Sequence, residues 1–295
     1  MKKSWLVYTI ITVAAWGLWG AMIDTPAHAG FPETLGYVVW ALTMIPPALV
    51  ALKLAGWKVE TDRASVVYGC LAGFLGAGGQ LILFKVLRIA PAYLVFPFIA
   101  LSPLLTIVLA LVISRERASL KGWAGIVLAL AAGVLLAYAP PAGGAGAGLL
   151  WVGLALLVFV AWGLQGFVIS HANKTMRAES IFFYMTVTGL LLVPAALWMT
   201  DFHQHINWGF KGPYLAALIQ VLNAVGALLL VFAFRHGKAI IVSPLINAGA
   251  PVVTIVLSLL MYRTLPLAVQ GVGMVLAVAA TLLMALEEET KEVKS

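Results

Sequence analysis

The chain has 295 residues, 63% of them hydrophobic and only 10% charged. A soluble domain carries about 25% charged residues, so this chain cannot cover itself with a polar surface, and lipid must be its solvent. The net charge of +7 raises the question of a nucleic-acid partner, but no basic run has interleaved polar and aromatic reader positions, and none is expected.

Apolar runs able to cross about 30 Å of hydrocarbon recur along the chain. They are predicted as helices at 5–23, 35–56, 66–87, 92–113, 122–138, 149–170, 181–199, 213–234, 239–261 and 267–286. The start imitates a secretory signal, with Lys2 and Lys3, an apolar run, and Ala27-His28-Ala29. The run is long for such a signal, and its Trp16-Gly17 recurs in the sixth span, so an uncleaved first span is expected.

That first span carries Trp16 and Trp19 on one face, three residues apart. Interior tryptophan needs a partner for its N–H, which makes both candidates for a cavity wall. The third span carries Gln80 among Gly69, Gly73, Gly76, Gly78 and Gly79, then Lys85 near its end. A buried amide needs hydrogen-bond partners, which a neighbouring helix or a solute can supply. Lys85 either snorkels to the interface or faces a cavity mouth. The fourth span holds Tyr93, Pro97, Pro103 and Thr106. Prolines there remove backbone bonds and predict kinks. The ordinary expectation for Thr106, as for Thr254, is a hydroxyl bonded back to its own helix. Small residues along the fifth span, as along the tenth, suit close helix contacts within the bundle or between the subunits of a homodimer. Cys70, the single cysteine, forms no intrachain disulfide.

Residues 139–148, rich in glycine and alanine, read as a linker. Beyond it the pattern returns. The sixth span brings Trp162 and Gln165, the eighth Gln220 and Asn223, and the ninth Pro244, Asn247 and Pro251. Asn247, between two prolines, is the best single polar candidate. Residues 287–295 form a charged tail.

The return is literal. Pro103-Leu104-Leu105-Thr106-Ile107-Val108-Leu109 reappears half a chain later as Pro251-Val252-Val253-Thr254-Ile255-Val256-Leu257, and Ala15-Trp16-Gly17-Leu18 as Ala161-Trp162-Gly163-Leu164. Two five-span repeats are expected, 1–138 and 149–286. Of the 18 lysines and arginines, only Lys85, Arg88, Lys211 and Arg263 fall on one set of span ends. The bias places both termini on the cytoplasmic side. Five spans per half is an odd number, so the second half enters the membrane inverted, an arrangement typical of carriers. The fold class expected is an all-α integral membrane protein of ten transmembrane helices.

All eleven acidic residues lie in loops or at span ends. No catalytic set, metal cluster or intramembrane carboxylate relay can be assembled. No enzyme activity, cofactor or metal is therefore expected.

Ten spans in two repeats, Trp-Gly in the first span of each half, Pro91-Ala92, Pro97 and Pro103, then Arg115-Glu116-Arg117 before Lys121-Gly122, together resemble the EamA-like branch of the drug/metabolite transporter superfamily. In the second half Tyr262-Arg263-Thr264 stands where that family often has an acid. The resemblance implies a carrier of small organic solutes, often an exporter of amino acids or related metabolites. It also implies a central cavity lined by the first, third, fourth, sixth, eighth and ninth spans. Small multidrug resistance proteins, which are relatives, have a first-span glutamate that this chain lacks.

The expected protein is thus a carrier in the cytoplasmic membrane that works by alternating access, with lipids and a small solute as its partners. Trp16, Trp19, Gln80, Lys85, Tyr93, Trp162, Gln165, Asn223 and Asn247 are its candidate binding residues, and Pro97, Pro103, Pro244 and Pro251 its hinges. A non-transporting receptor or scaffold, or a channel, is the alternative.

Overall fold

The computed structural model describes residues 4–89, 95, 99–138, 150–262 and 267–285. Among these the chain is helical, with no strand. In chain order it forms α1 (Ser4–Met22), α2 (Asp24–His28), α3 (Glu33–Thr43), α4 (Ile45–Leu54), α5 (Arg63–Ile89), α6 (Ser102–Val112) and α7 (Leu120–Ala137). After the 139–148 linker, which lies outside the described residues, come α8 (Leu150–Ala172), α9 (Ala178–Leu191), α10 (Val193–Met199), α11 (Leu215–His236), α12 (Ala239–Tyr262) and α13 (Ala268–Ala285). Among the described residues eight stretches are long and apolar enough to cross a membrane, while Ser102–Val112 and Ala268–Met284 are apolar but shorter.

Among the described residues two predicted single helices each divide into two helices. The second span divides at Met44 and the seventh at Leu192, each just before proline: Pro46 and Pro47 in the first turn of α4, Pro194 in the first turn of α10. Proline suits a first turn because the N–H it lacks would have no partner there. The same rule corrects the expectation for Pro103. It is no interior kink but sits in the first turn of α6. The entry to α11 is a π-helical turn, Phe210–Tyr214, at Gly212 and Pro213. A Cβ on Gly212 would strike the carbonyl of Asn207, so only glycine fits.

The repeats interlock. The first helix of each half packs mainly on helices of the other: α1 on α11 and α12, α8 on α5 and α6. Likewise α9 lies on α5 and α3 on α11, while α7 and α13 pair together. The small residues of the fifth and tenth spans serve that pairing, since Gly125 lies against Met284 and Gly273 against Leu136. Apolar side chains such as Val7, Val127, Leu218, Val275 and Leu282 point outward, as helices bathed in lipid require.

Threonines bind the crossings. Thr254 Oγ1 donates to the Gly17 carbonyl at 2.9 Å, and its repeat mate Thr106 donates to Gly163 at 2.7 Å. Both bonds cross between helices, where the sequence suggested bonds within one helix. Close packing at Gly17, Gly20, Gly163 and Gly166 brings the foreign carbonyl within hydrogen-bond reach.

Loops strap the ends in the same paired manner. At the end rich in lysine and arginine, Arg177 meets Glu60 at 2.7 Å and donates to the carbonyls of Lys58 and Ala55 at 2.7 and 3.2 Å. At the opposite end Asn207, the repeat mate of Glu60, donates from Nδ2 to Ala29 at 2.9 Å and from its backbone to Gly30 at 3.0 Å. Alone, burial would raise the Glu60 carboxyl. The Ser180 hydroxyl and Arg177 outweigh it, and the group is held below its ordinary range.

Candidate functional site

The interior is built around four tryptophans. Trp16 Nε1 donates to the Asn223 carbonyl at 3.2 Å, and Trp162 Nε1 donates to the Gly76 carbonyl at 3.3 Å. Gly76 and Asn223 occupy matching places in α5 and α11, so the two bonds are repeat mates. Each indole lies against a glycine one turn further on. A Cβ on Gly79 would fall 2.6 Å from Trp162 Nε1, and one on Gly226 would strike the Trp16 ring.

Around this symmetric pair the polar side chains differ. On the α11 side, Trp19 Nε1 donates to Gln220 Oε1 at 3.0 Å, and Trp40 Nε1 donates to Asn223 Oδ1 at 2.8 Å. Trp40 also packs on Tyr37, with ring centroids 5.1 Å apart. The sequence reading does not single out Trp40. Its signal was an interior tryptophan three residues after a tyrosine, the same one-face spacing as Trp16 and Trp19. On the α5 side the matching positions are Gly73 and Gly76, into whose missing side-chain space Thr188 and Gln165 fit. Asn223 and Gln220 are thus engaged by indoles, whereas Gln165 rests against bare backbone.

Gln80 is half-buried. At 3.6 residues per turn it lies on the side of α5 opposite the exposed stripe of Val67, Leu71 and Phe74. Among the described residues neither Gln80 nor Gln165 makes a hydrogen bond. Lys85 is exposed and falls on the Val67–Phe74 stripe, five turns beyond Val67. That corrects its candidacy: it faces outward, where a long stem lets the ammonium snorkel.

Asn247 is exposed between buried Ile246 and Ala248. It lies across α12 from Val252 and Val256, which border α13 together with Val275, so it faces away from that outer neighbour. Its Nδ2 donates to the Ser243 carbonyl at 3.0 Å. Pro251 has no N–H to offer the Asn247 carbonyl four residues back. Pro244 is buried and Pro251 half-buried, both inside continuous α12. Tyr93 and Pro97 lie outside the described residues. Trp5, near the start of α1, is buried.

Among the described residues no Asp, Glu, Lys, Arg or His side chain reaches this interior; in the described helices each lies within about a turn of an end. A cavity of about 370 Å³ opens instead among end loops, lined by Gly30, Glu33, Asp201 and His205. Among the described residues no group of three or more His, Cys, Asp or Glu is placed to hold a metal. The arrangement offers amides, backbone carbonyls and aromatic faces.

The model of the EamA-like transporter family matches residues 3–138 and again 149–286. Twenty-nine solved chains match in structure. One, described only as the crystal structure of a protein, has a TM-score of 0.76 at 19% identity, over 94% of this chain and 95% of its own. That likeness establishes the fold. No functionally curated protein matches the chain.

Proposed function

The chain belongs to the EamA-like transporter family, and on that premise we propose that it carries a small organic solute, an amino acid or related metabolite, across the cytoplasmic membrane. The reading takes ten spans with both termini and the basic end in the cytoplasm, and export as the working direction. The observation that supports it most is the matched pair of indole bonds, Trp16 to Asn223 and Trp162 to Gly76. Two mated contacts around one centre allow the same interior to be presented to either side in turn.

In this reading Trp16, Trp19 and Trp162 wall the site. Gln80, Gln165 and Asn247 contact the polar groups of the solute, because their amides are not consumed by other side chains. Asn223 and Gln220 position the indoles. An unpaired ion is costly to bury, and among the described residues no countercharge is present, so the solute is one whose charges balance. Pro244 and Pro251 let α12 bend.

Counterflow into proteoliposomes tests this. Vesicles loaded with unlabelled amino acids and metabolites should transiently accumulate the labelled counterpart of one of them. Trp162→Ala and Asn247→Ala should reduce that overshoot at least about tenfold while the protein still folds. Equal overshoot in both variants would remove the site assignment. Uptake that never saturates would mark a channel.

A further inference from the structure

The threonine bonds, the indole bonds and the loop straps all come in mated pairs. At the basic end two carboxylate contacts have no acidic mate in the sequence: the Glu60 strap, whose place Asn207 fills with amide bonds of its own, and a contact made by Glu116. After α6 the chain turns through Arg115 at φ 53°, a left-handed conformation uncommon outside glycine. The turn is fastened by Glu116 N–H, which donates to the Ala110 carbonyl at 3.0 Å. It aims the Glu116 carboxylate at the start of α12. Oε2 accepts the Ile240 N–H at 3.2 Å, and the Ala239 N–H bonds the same carboxylate. The first N–H groups of a helix have no partner within it, and its dipole favours an anion there. Burial pushes the Glu116 carboxyl above its ordinary range, and the positive charge of Lys174, after α8, and Lys238, before α12, works against that rise.

The bond lies where α6, which packs on α8, meets α12, which packs on α1; α6 and α12 also pack on each other. At the corresponding place in the second half the sequence reads Tyr262-Arg263-Thr264, with no acid. The burial of α12 agrees with a closed basic end. Ala239, Ile240, Ile241, Val242, Leu245 and Ile246 are buried, whereas Asn247 is exposed and Val252 to Ile255 are half-exposed.

We propose that Glu116 is a latch: it shuts the cytoplasmic end by tying the end of α6 to the start of α12, and, being unmatched, it biases the carrier toward its outward-open state. This rests on the alternating-access reading above. In a carrier of inverted repeats the two end states exchange the roles of the halves. Identical halves would make those states equal in energy, so a bias must come from contacts that are not shared.

The test uses the full-length protein with Cys70→Ala and a single reporter, Asn247→Cys, in right-side-out and inside-out membrane vesicles. A membrane-impermeant maleimide reports the labelling rate from each side. Glu116→Ala should raise the rate from the cytoplasmic side about tenfold and lower it from the outside. Glu116→Gln, which keeps an acceptor and the shape, should fall between parent and alanine. It carries the measurement if the alanine variant does not give a monodisperse protein. Glu179→Ala, which removes a charge from the first turn of α9, should leave both rates at parent values. If the parent reporter labels from one side at a time and neither Glu116 variant shifts the ratio, the latch is wrong and the carrier reading stands. If the parent reporter labels equally from both sides, the carrier reading fails and the latch with it.

Discussion

Glycine at 79 and 226 is required by an indole, not by a turn. Each lets a tryptophan ring lie on helix backbone where any side chain would hold it off. Alanine at either position is expected to cost about 1–3 kcal/mol through overpacking and to weaken transport by displacing Trp162 or Trp16. Thermal melting in detergent should show similar losses for Gly79→Ala and Gly226→Ala, because their surroundings are mates. Thr106→Val and Thr254→Val remove one cross-helix bond each, and such bonds in membrane proteins average about 0.6 kcal/mol; their melting shifts should be small and alike. The amides divide differently. Asn223→Ala should lower both melting temperature and transport, since it frees the Trp40 N–H. Gln80→Ala should lower transport alone. A large melting loss in Gln80→Ala would show it to be a structural residue. The sequence names these amides as interior. It does not show which of them an indole has already claimed, because that pairing spans residues as distant as Trp40 and Asn223.

Elements follow local chemistry closely where proline acts, and less closely where facing decides. Pro46, Pro47 and Pro194 start new helices, a division that apolar run length conceals because the hydrophobicity continues across the break. Lys85 was ambiguous from composition. The turn-by-turn register of α5, settled by Val67, Leu71 and Phe74, sends it outward. The loop straps carry a pH prediction. Glu60 is held below its ordinary range in the folded protein. Its contribution to stability is therefore complete above the ordinary carboxylate range and lost as pH falls through the lowered value. Melting temperature should fall on acidification in the parent more steeply than in Glu60→Gln. At neutral pH, Arg177→Ala should destabilise the basic end, leaving the Asn207 strap intact. Proteolysis of the 55–61 loop is the measurement, with faster cleavage expected.

At the scale of the whole molecule the repeats are not two bodies side by side. Segments 1–138 and 149–286 each lack the partners of their own first helix. Expressed alone, neither is expected to give a monodisperse protein; expressed together from two genes, they should co-purify as a complex. Independent folding of either half would contradict the interlocked packing. The repeat itself was legible, because matched residues such as Thr106 and Thr254, or Trp16 and Trp162, stay recognisable in sequence. That the matched threonines and tryptophans reach across to the opposite repeat was not legible. Periodicity reports which face of a helix is special and is silent on which helix it meets.

The crossing of α1 over α12 also sets an order of events at the ribosome. Gly17 accepts its bond from a threonine 237 residues later in the chain. At about 5–20 residues per second, the first helix waits about 10–50 s in the bilayer before its partner exists. During that time its glycine face has only lipid for company. A newly made chain of this kind is therefore most open to misassembly, and to capture by membrane quality control, until its ninth span has been synthesised.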